Sequence, residues 1–351
     1  MWSTLNIGSS GLKAAQKLID VSSHNIANAD TPGYKKSEGS TNEIAFKVQS
    51  DLQFGGAGTE ARVTKPNEPW VDRRYQLALQ EKAMDDARKE GIDEIESATT
   101  NASVSTAYDE FFNAASQLQR NPNDVSLKEK FNQSGKALAD GMNSLSNDFK
   151  SIQDDLQQKV DFHQMRLDSL KKTLSELTSK SNTKDVVAEV NYVTQQISQE
   201  TGTISGYNAV LQKVIPPLTG LYDRAKEESI SNINSSYGRT LFDTNNDGQV
   251  SWTNAQGGNI QSLVNSDKEV FSNELSRLNV IVGVTQEAAT NVATFGTNNL
   301  QSANEDYNRA YGVDLVEESV KMKRAQQLYE ANAQAIKTDD QMFQALMNIF
   351  V

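Results

Sequence analysis

Six apolar side chains recur at a constant interval of seven residues toward one end of the chain: Leu315, Met322, Tyr329, Ile336, Phe343 and Phe350. Toward the other end Leu5, Leu12, Ile19 and Ile26 keep the same interval, with Gly8, Ala15 and Ser22 on the rungs between them. Such a repeat draws one narrow apolar stripe along a helix, and the stripe can be buried only against another helix. Two stripes at opposite ends of a 351-residue chain restrict the fold more than any other feature. The simplest solution packs the first helix against the last, the small rungs letting the backbones approach closely. The middle of the chain then projects outward from that pair. Burial against neighbouring copies satisfies the same pattern. Four large apolar residues make only a marginal isolated pair, so the ends are expected to order on assembly.

The stretch between the stripes reads as mostly helical. "SSHNIANADTPGYKK" (Ser22–Lys36) stops the first helix near Asn28. Thr31 before Pro32 is pushed toward extended geometry, and Pro32-Gly33 fits the centre of a type II turn. Loop and short extended pieces follow, with "FGGAG" (Phe54–Gly58) as a hinge. Apolar residues at 3–4 spacing resume near Val71 and run through Val104, Tyr108, Phe111, Ala115 and Leu118. "NPND" (Asn121–Asp124) breaks that helix and caps the next. The next stripe implies one helix from Val125 to Lys180, on the order of 80 Å long. Asn182 offers an N-cap for a returning helix that Pro216-Pro217 is expected to end. Only 37% of residues are hydrophobic, which suits helices burying a stripe better than a round core. The expected fold is mainly α: terminal coiled-coil helices, an elongated antiparallel helical bundle, and a small inserted mixed or β lobe. The division is 1–60 (a helix and turn pairing with 312–351), 61–224 (bundle), 225–285 (lobe, with "VIVGV" at Val280–Val284 as a strand), 286–311 (return to the bundle) and 312–351 (final coiled-coil helix).

Composition narrows function. A net charge of −12 argues against nucleic acid as a partner. No apolar run reaches the roughly 18 residues of a membrane span. Residues 1–20 lack a basic start and a continuous apolar run, so no cleaved signal peptide is expected. With no cysteine, thiol catalysis and disulfides are excluded. His24 and His163 lie in separate segments, and His163 falls on an apolar seam that suits packing better than ligation. No nucleophile or acid–base constellation stands out, so an enzyme is not expected. One local motif is sharp. In "FDTNNDGQVSWTN", Asp243, Asn245, Asp247, Gln249 and Ser251 fall at positions 1, 3, 5, 7 and 9 of a calcium loop, with Gly248 at position 6. Asn254 replaces the bidentate Glu of position 12, which weakens the site. The alternative is an Asx-rich turn held by its own side chains. Calcium is the one cofactor that the sequence raises. A calcium-binding extracellular enzyme or adhesin is the reading of another class that goes with it.

"SGLKAAQKLIDVSSHNIANADTPGYKK" resembles the N-terminal motif of the bacterial flagellar axial proteins, the rod, hook and hook-associated proteins. "VDLVEESVKMKRAQQLYEANAQAIKTDDQMFQALMNIF" is similar to their C-terminal motif. "YDEFFNAASQLQRNPNDVSLKEKFNQSGKALADGMNSL" resembles the helical segment of the hook-associated members at the hook–filament junction. The resemblance covers about residues 1–225 and 290–351 and fades over the lobe. It implies a structural subunit, exported through the flagellar channel to the cell exterior and polymerised into a tube. The implied partners are other copies of itself, hook protein, a second junction protein, the export apparatus and an export chaperone, with no nucleic acid and no membrane insertion. The alternative within the family is a hook or distal-rod subunit. The implied assembly surface is the two stripes together with Tyr34, which the turn would offer to a neighbouring subunit.

Overall fold

The computed structural model describes residues 2–44, 58–100, 104–179, 184–245, 247–253, 255, 257–266 and 268–349. The chain is mainly α, with two small antiparallel sheets among the described residues. Its helices are α1 (Trp2–Ala27), α2 (Pro69–Thr100), α3 (Val104–Arg120), α4 (Val125–Ser179), α5 (Lys184–Lys213), α6 (Ile215–Tyr237), α7 (Ile260–Val264), α8 (Glu269–Tyr311) and α9 (Leu315–Ile349). Strands β1 (Glu38–Ile44) and β2 (Gly58–Thr64) form one hairpin, β3 (Phe242–Thr244) and β4 (Val250–Trp252) the other. The fold divides into two compact units. One is 1–77, 170–196 and 300–351; the other is 78–169 and 197–299.

Local chemistry sets the helix ends. Asp124 caps α4, its carboxylate accepting from the amides of Ser126 (2.8 Å) and Leu127 (3.2 Å). These are donors that a helix start otherwise leaves unpaired. Asn182 and most of the Phe54–Gly58 hinge lie outside the described residues. The returning helix α5 ends at Lys213, just before Pro216-Pro217, and the two prolines also open the next helix. They sit in the first turn of α6, where a missing N–H costs no hydrogen bond. Val280–Val284 is not a strand and lies inside α8. Its β-branched residues carry only a weak strand preference, and tertiary context overrides it. The context is a helical stripe: Leu275, Leu278, Val282, Ala289 and Ala293 are all buried at helical spacing. The stretch between the long helices, which holds β3, β4 and the short α7, is therefore shorter than 225–285, because α6 runs to Tyr237 and α8 starts at Glu269.

The second unit is a helical bundle. Gly91 of α2 faces Leu156 of α4 and Val210 of α5. Lys159 of α4 pairs with Glu90 (3.0 Å) and Glu94 (2.6 Å) of α2. His163 Nδ1 lies 2.6 Å from Oε2 of buried Glu200 on α5, and Arg166 Nε lies 3.0 Å from its Oε1. The seam histidine and Arg166 together satisfy the buried Glu200 carboxylate. At one end of this unit the β3–β4 hairpin closes an aromatic cluster. Phe111 is fully buried, with Phe131 stacked on it (5.1 Å between centroids) and Phe242 and Trp252 edge-on. Truncating a buried Phe removes its transfer energy and leaves a cavity. Phe111→Ala is expected to destabilise the chain by about 3–5 kcal/mol, read as a lower midpoint in guanidinium unfolding.

Candidate assembly interface

The first unit holds the two ends of the chain against each other. Helices α1 and α9 run antiparallel: Gly8 meets Ile336, Ser23 Oγ lies 3.7 Å from Met322 Sδ, and Asn25 bonds Glu318 at 3.0 Å. The buried side of α1 is its small side. Ala14, Ala15, Val21, Ser22 and Asn25 are buried, and a Cβ on Gly8 would sit 2.6 Å from Ile336 Cγ1. Close backbone approach therefore needs glycine at this position. The β1–β2 hairpin lies on α1, where Ser10 Oγ accepts from the Thr59 amide (3.0 Å) and Lys17 Nζ donates to the Ala61 carbonyl (3.0 Å).

The polar "SSHNIANADTPGYKK" stretch makes an internal knot centred on Asn25, which is fully buried. Its Nδ2 donates to the Ser37 carbonyl (2.8 Å) and to Glu318 Oε2 (3.0 Å). Its Oδ1 accepts from the Tyr34 hydroxyl (2.8 Å) and the Ser37 amide (2.9 Å). Two donors and two acceptor positions are all that a primary amide has, so the site is saturated. The turn before it has Gly33 at φ 73°, a left-handed conformation that favours glycine. The Tyr34 amide donates back to the Thr31 carbonyl (3.1 Å), and Asn191 of α5 donates to the Gly33 carbonyl (3.2 Å). Lys35 pairs with both oxygens of Asp72 (2.6 and 2.7 Å) and lies 4.0 Å from the Tyr311 ring centroid.

The Tyr34 hydroxyl is used inside the chain, because the turn folds back onto α1. The seven-residue stripes are not the seam between α1 and α9. Leu12, Ile19, Ile26, Met322 and Ile336 are half-buried, while Leu5 (44%), Leu315 (51%), Tyr329 (40%) and Phe343 (48%) are exposed. The reason is steric: the helix pair closes on the small rungs, which rotates the large ones toward the edges. Phe350 lies outside the described residues. The sequence reading missed Asn25 and Glu318 as partners. Asn25 was findable, since Gly8, Gly11, Ala15, Ser22 and Asn25 continue one face at 3–4 spacing. Glu318 was not, because its partner depends on interhelical register.

Asp243, Asn245, Asp247, Gln249 and Ser251 form a β-hairpin turn rather than a converging cage. Asp243 and Ser251 face each other across the β3–β4 ladder. The Gln249 carbonyl accepts from the Asn245 amide (2.9 Å), and the Asp247 carboxylate accepts from the Gln249 amide (3.0 Å). The cation beside this loop is Lys226, a buried ammonium that donates to the Gly248 carbonyl (3.1 Å) and Ser146 Oγ (3.2 Å). Among the described residues no three His, Cys, Asp or Glu side chains converge as a metal site. The geometry matches the Asx-turn alternative; Asn254, at position 12, lies outside the described residues.

Comparison with known proteins fits this architecture. Residues 5–35 match the flagella basal body rod protein family, and residues 306–349 match the flagellar basal body rod FlgEFG protein C-terminal family. Residues 90–183 match the helical domain of flagellar hook-associated protein FlgK. The chain thus resembles flagellar axial proteins toward both ends and a hook-associated helical domain between them. It is similar to flagellar hook-associated protein 1 of Bacillus subtilis (strain 168), at 23% identity over 178 residues, 48% of this chain. That match covers 34% of the relative, about a third of its length. Among the described residues no helix is long and apolar enough to cross a membrane.

Two outcomes test the knot. Asn25→Ala leaves buried donors and acceptors unpaired, each costing about 1–3 kcal/mol. Amide exchange at Ser37 is expected to speed up by roughly tenfold or more, since about 1.4 kcal/mol is tenfold. The second outcome concerns pH. Burial first, and then the Glu318 charge, raise Tyr34 above its ordinary value of 10.0. The neutral hydroxyl is therefore favoured by folding. Its contribution is complete below pH 10.0 and is lost as pH rises through the raised folded value. Tyr34→Phe is expected to flatten that alkaline loss, measured as thermal midpoint against pH.

Proposed function

We propose that this chain is a structural subunit of the bacterial flagellum that joins hook to filament, polymerising through its terminal helices. The observation that carries this reading is the uncovered apolar surface of α9. Val316, Val320, Leu328, Tyr329, Met342 and Phe343 are all exposed, although α1 already packs on that helix. A run of exposed apolar side chains along one helix suits a protein contact surface. The FlgK-type match at 90–183 supports the junction role over other axial positions. Other copies of the chain cover α9, hook protein lies on one side of the junction and a second junction protein on the other. The subunit reaches the cell exterior through the flagellar export apparatus, met by an export chaperone.

The rod-type matches at both ends favour a second reading, a hook or distal-rod subunit. Deleting the gene in the native bacterium decides between them. Hooks without filaments, with unpolymerised flagellin in the medium, are the expected outcome. Loss of the hook itself overturns the junction role. In the same strain Phe343→Asp is expected to leave the soluble subunit folded, by circular dichroism, yet to block filament growth. A charge taken into a buried interface costs several kcal/mol. Normal filaments in that strain would exclude this face of α9 as an assembly surface.

A further inference from the structure

A groove of about 430 Å³ opens between α1, the start of β1 and the first half of α9. Leu18, Val21, Ala325 and Leu328 give it an apolar lining, and Lys321 and Arg324 stand beside them. Lys321 already pairs with Glu317 (2.8 Å) and Glu318 (2.9 Å). Arg324 is exposed and forms no ion pair among the described residues.

The far end of α9 has the complementary character. Asp340, Phe343 and Met347 follow one another at 3–4 spacing and share a face. All three are exposed, and Asp340 accepts only from Gln344 within its own helix (3.2 Å) among the described residues. A cavity of about 150 Å³ is enough for a benzene ring. The larger groove therefore has room for Phe343 and Met347 together.

We propose that residues 340–347 of one copy dock into the α1–β1–α9 groove of the next copy, with Asp340 paired to Arg324. This inference rests on the self-assembly reading and specifies its contact. Groove and plug are different surfaces separated by about 30 Å along one helix at ~1.5 Å per residue. No copy can fill its own groove. With each copy's plug seated in the next copy's groove, the contact runs head to tail from copy to copy as a series.

The chain has no cysteine, so cross-linking has no background. Leu328 and Met347 are about 28 Å apart on α9 at ~1.5 Å per residue, far beyond the roughly 7 Å Cα limit of a disulfide. Full-length protein carrying both Leu328→Cys and Met347→Cys is expected to give a ladder of reducible oligomers on oxidation. A mixture of the two single variants stops at dimers. Arg324→Glu is expected to raise the concentration needed for assembly about tenfold in sedimentation, and adding Asp340→Arg to restore it. A double variant that cross-links only to dimers would mean reciprocal two-fold exchange, and self-cross-linking of each single variant without mixed dimers would mean that groove and plug do not meet; either would overturn the proposal. So would assembly that ignores Arg324→Glu and gives no ladder, although self-assembly itself would then stand. Wild-type chain that stays monomeric at every concentration overturns both readings.

Discussion

The close approach of α1 to α9 is the constraint on which the rest of the first unit depends. It requires Gly8 under Ile336 and small residues along the same face. Once the backbones are that near, a polar residue on the face must be fully satisfied or the pair opens. Asn25 meets that condition with four hydrogen bonds, and in doing so it fixes more than the helix pair. It ties Tyr34 and Ser37 to α1, so the chain leaving the helix is held in place. Glu318, drawn into the same knot from α9, sets the register of the two helices.

The same constraint explains what remains uncovered. A helix pair that closes on small rungs turns its large apolar residues toward the edges, where one partner helix cannot reach them. Leu315, Tyr329 and Phe343 are therefore exposed by the very contact that their spacing seemed to serve. The arrangement suits a subunit whose ends are stable enough to recognise each other yet retain surface for further copies. The charged groups are distributed to match: Arg324 beside the groove and Asp340 near the other end of α9 are left without ion pairs among the described residues, while Lys321 and Lys35 are paired internally.

In the second unit the decisive interactions are different. Charge pairs across α2, α4 and α5 surround Lys159 and Glu200, while the aromatic cluster around Phe111 holds the β3–β4 hairpin. The hairpin's Asp and Asn spacing is that of a calcium loop; here the Gln249 carbonyl and the Asp247 carboxylate accept from backbone amides, and the Gly248 carbonyl accepts from Lys226. Lys226 lies on α6, outside the motif, and no reading of the motif alone could supply it.

Local sequence is enough to make the chain mainly helical and to place most of its helices. Those features follow from apolar spacing, from a capping Asp124 and from a Pro-Gly turn, all of which act within a few residues. It also showed that the two ends carry related stripes. Val280–Val284 read as a strand, where local preference gave way to the buried stripe of α8. Which face of α1 is buried, that Tyr34 turns inward, and that Asn25 and Glu318 are partners came from packing alone. These depend on the rotation and register of two helices about 300 residues apart in the chain, set by the steric fit of small side chains.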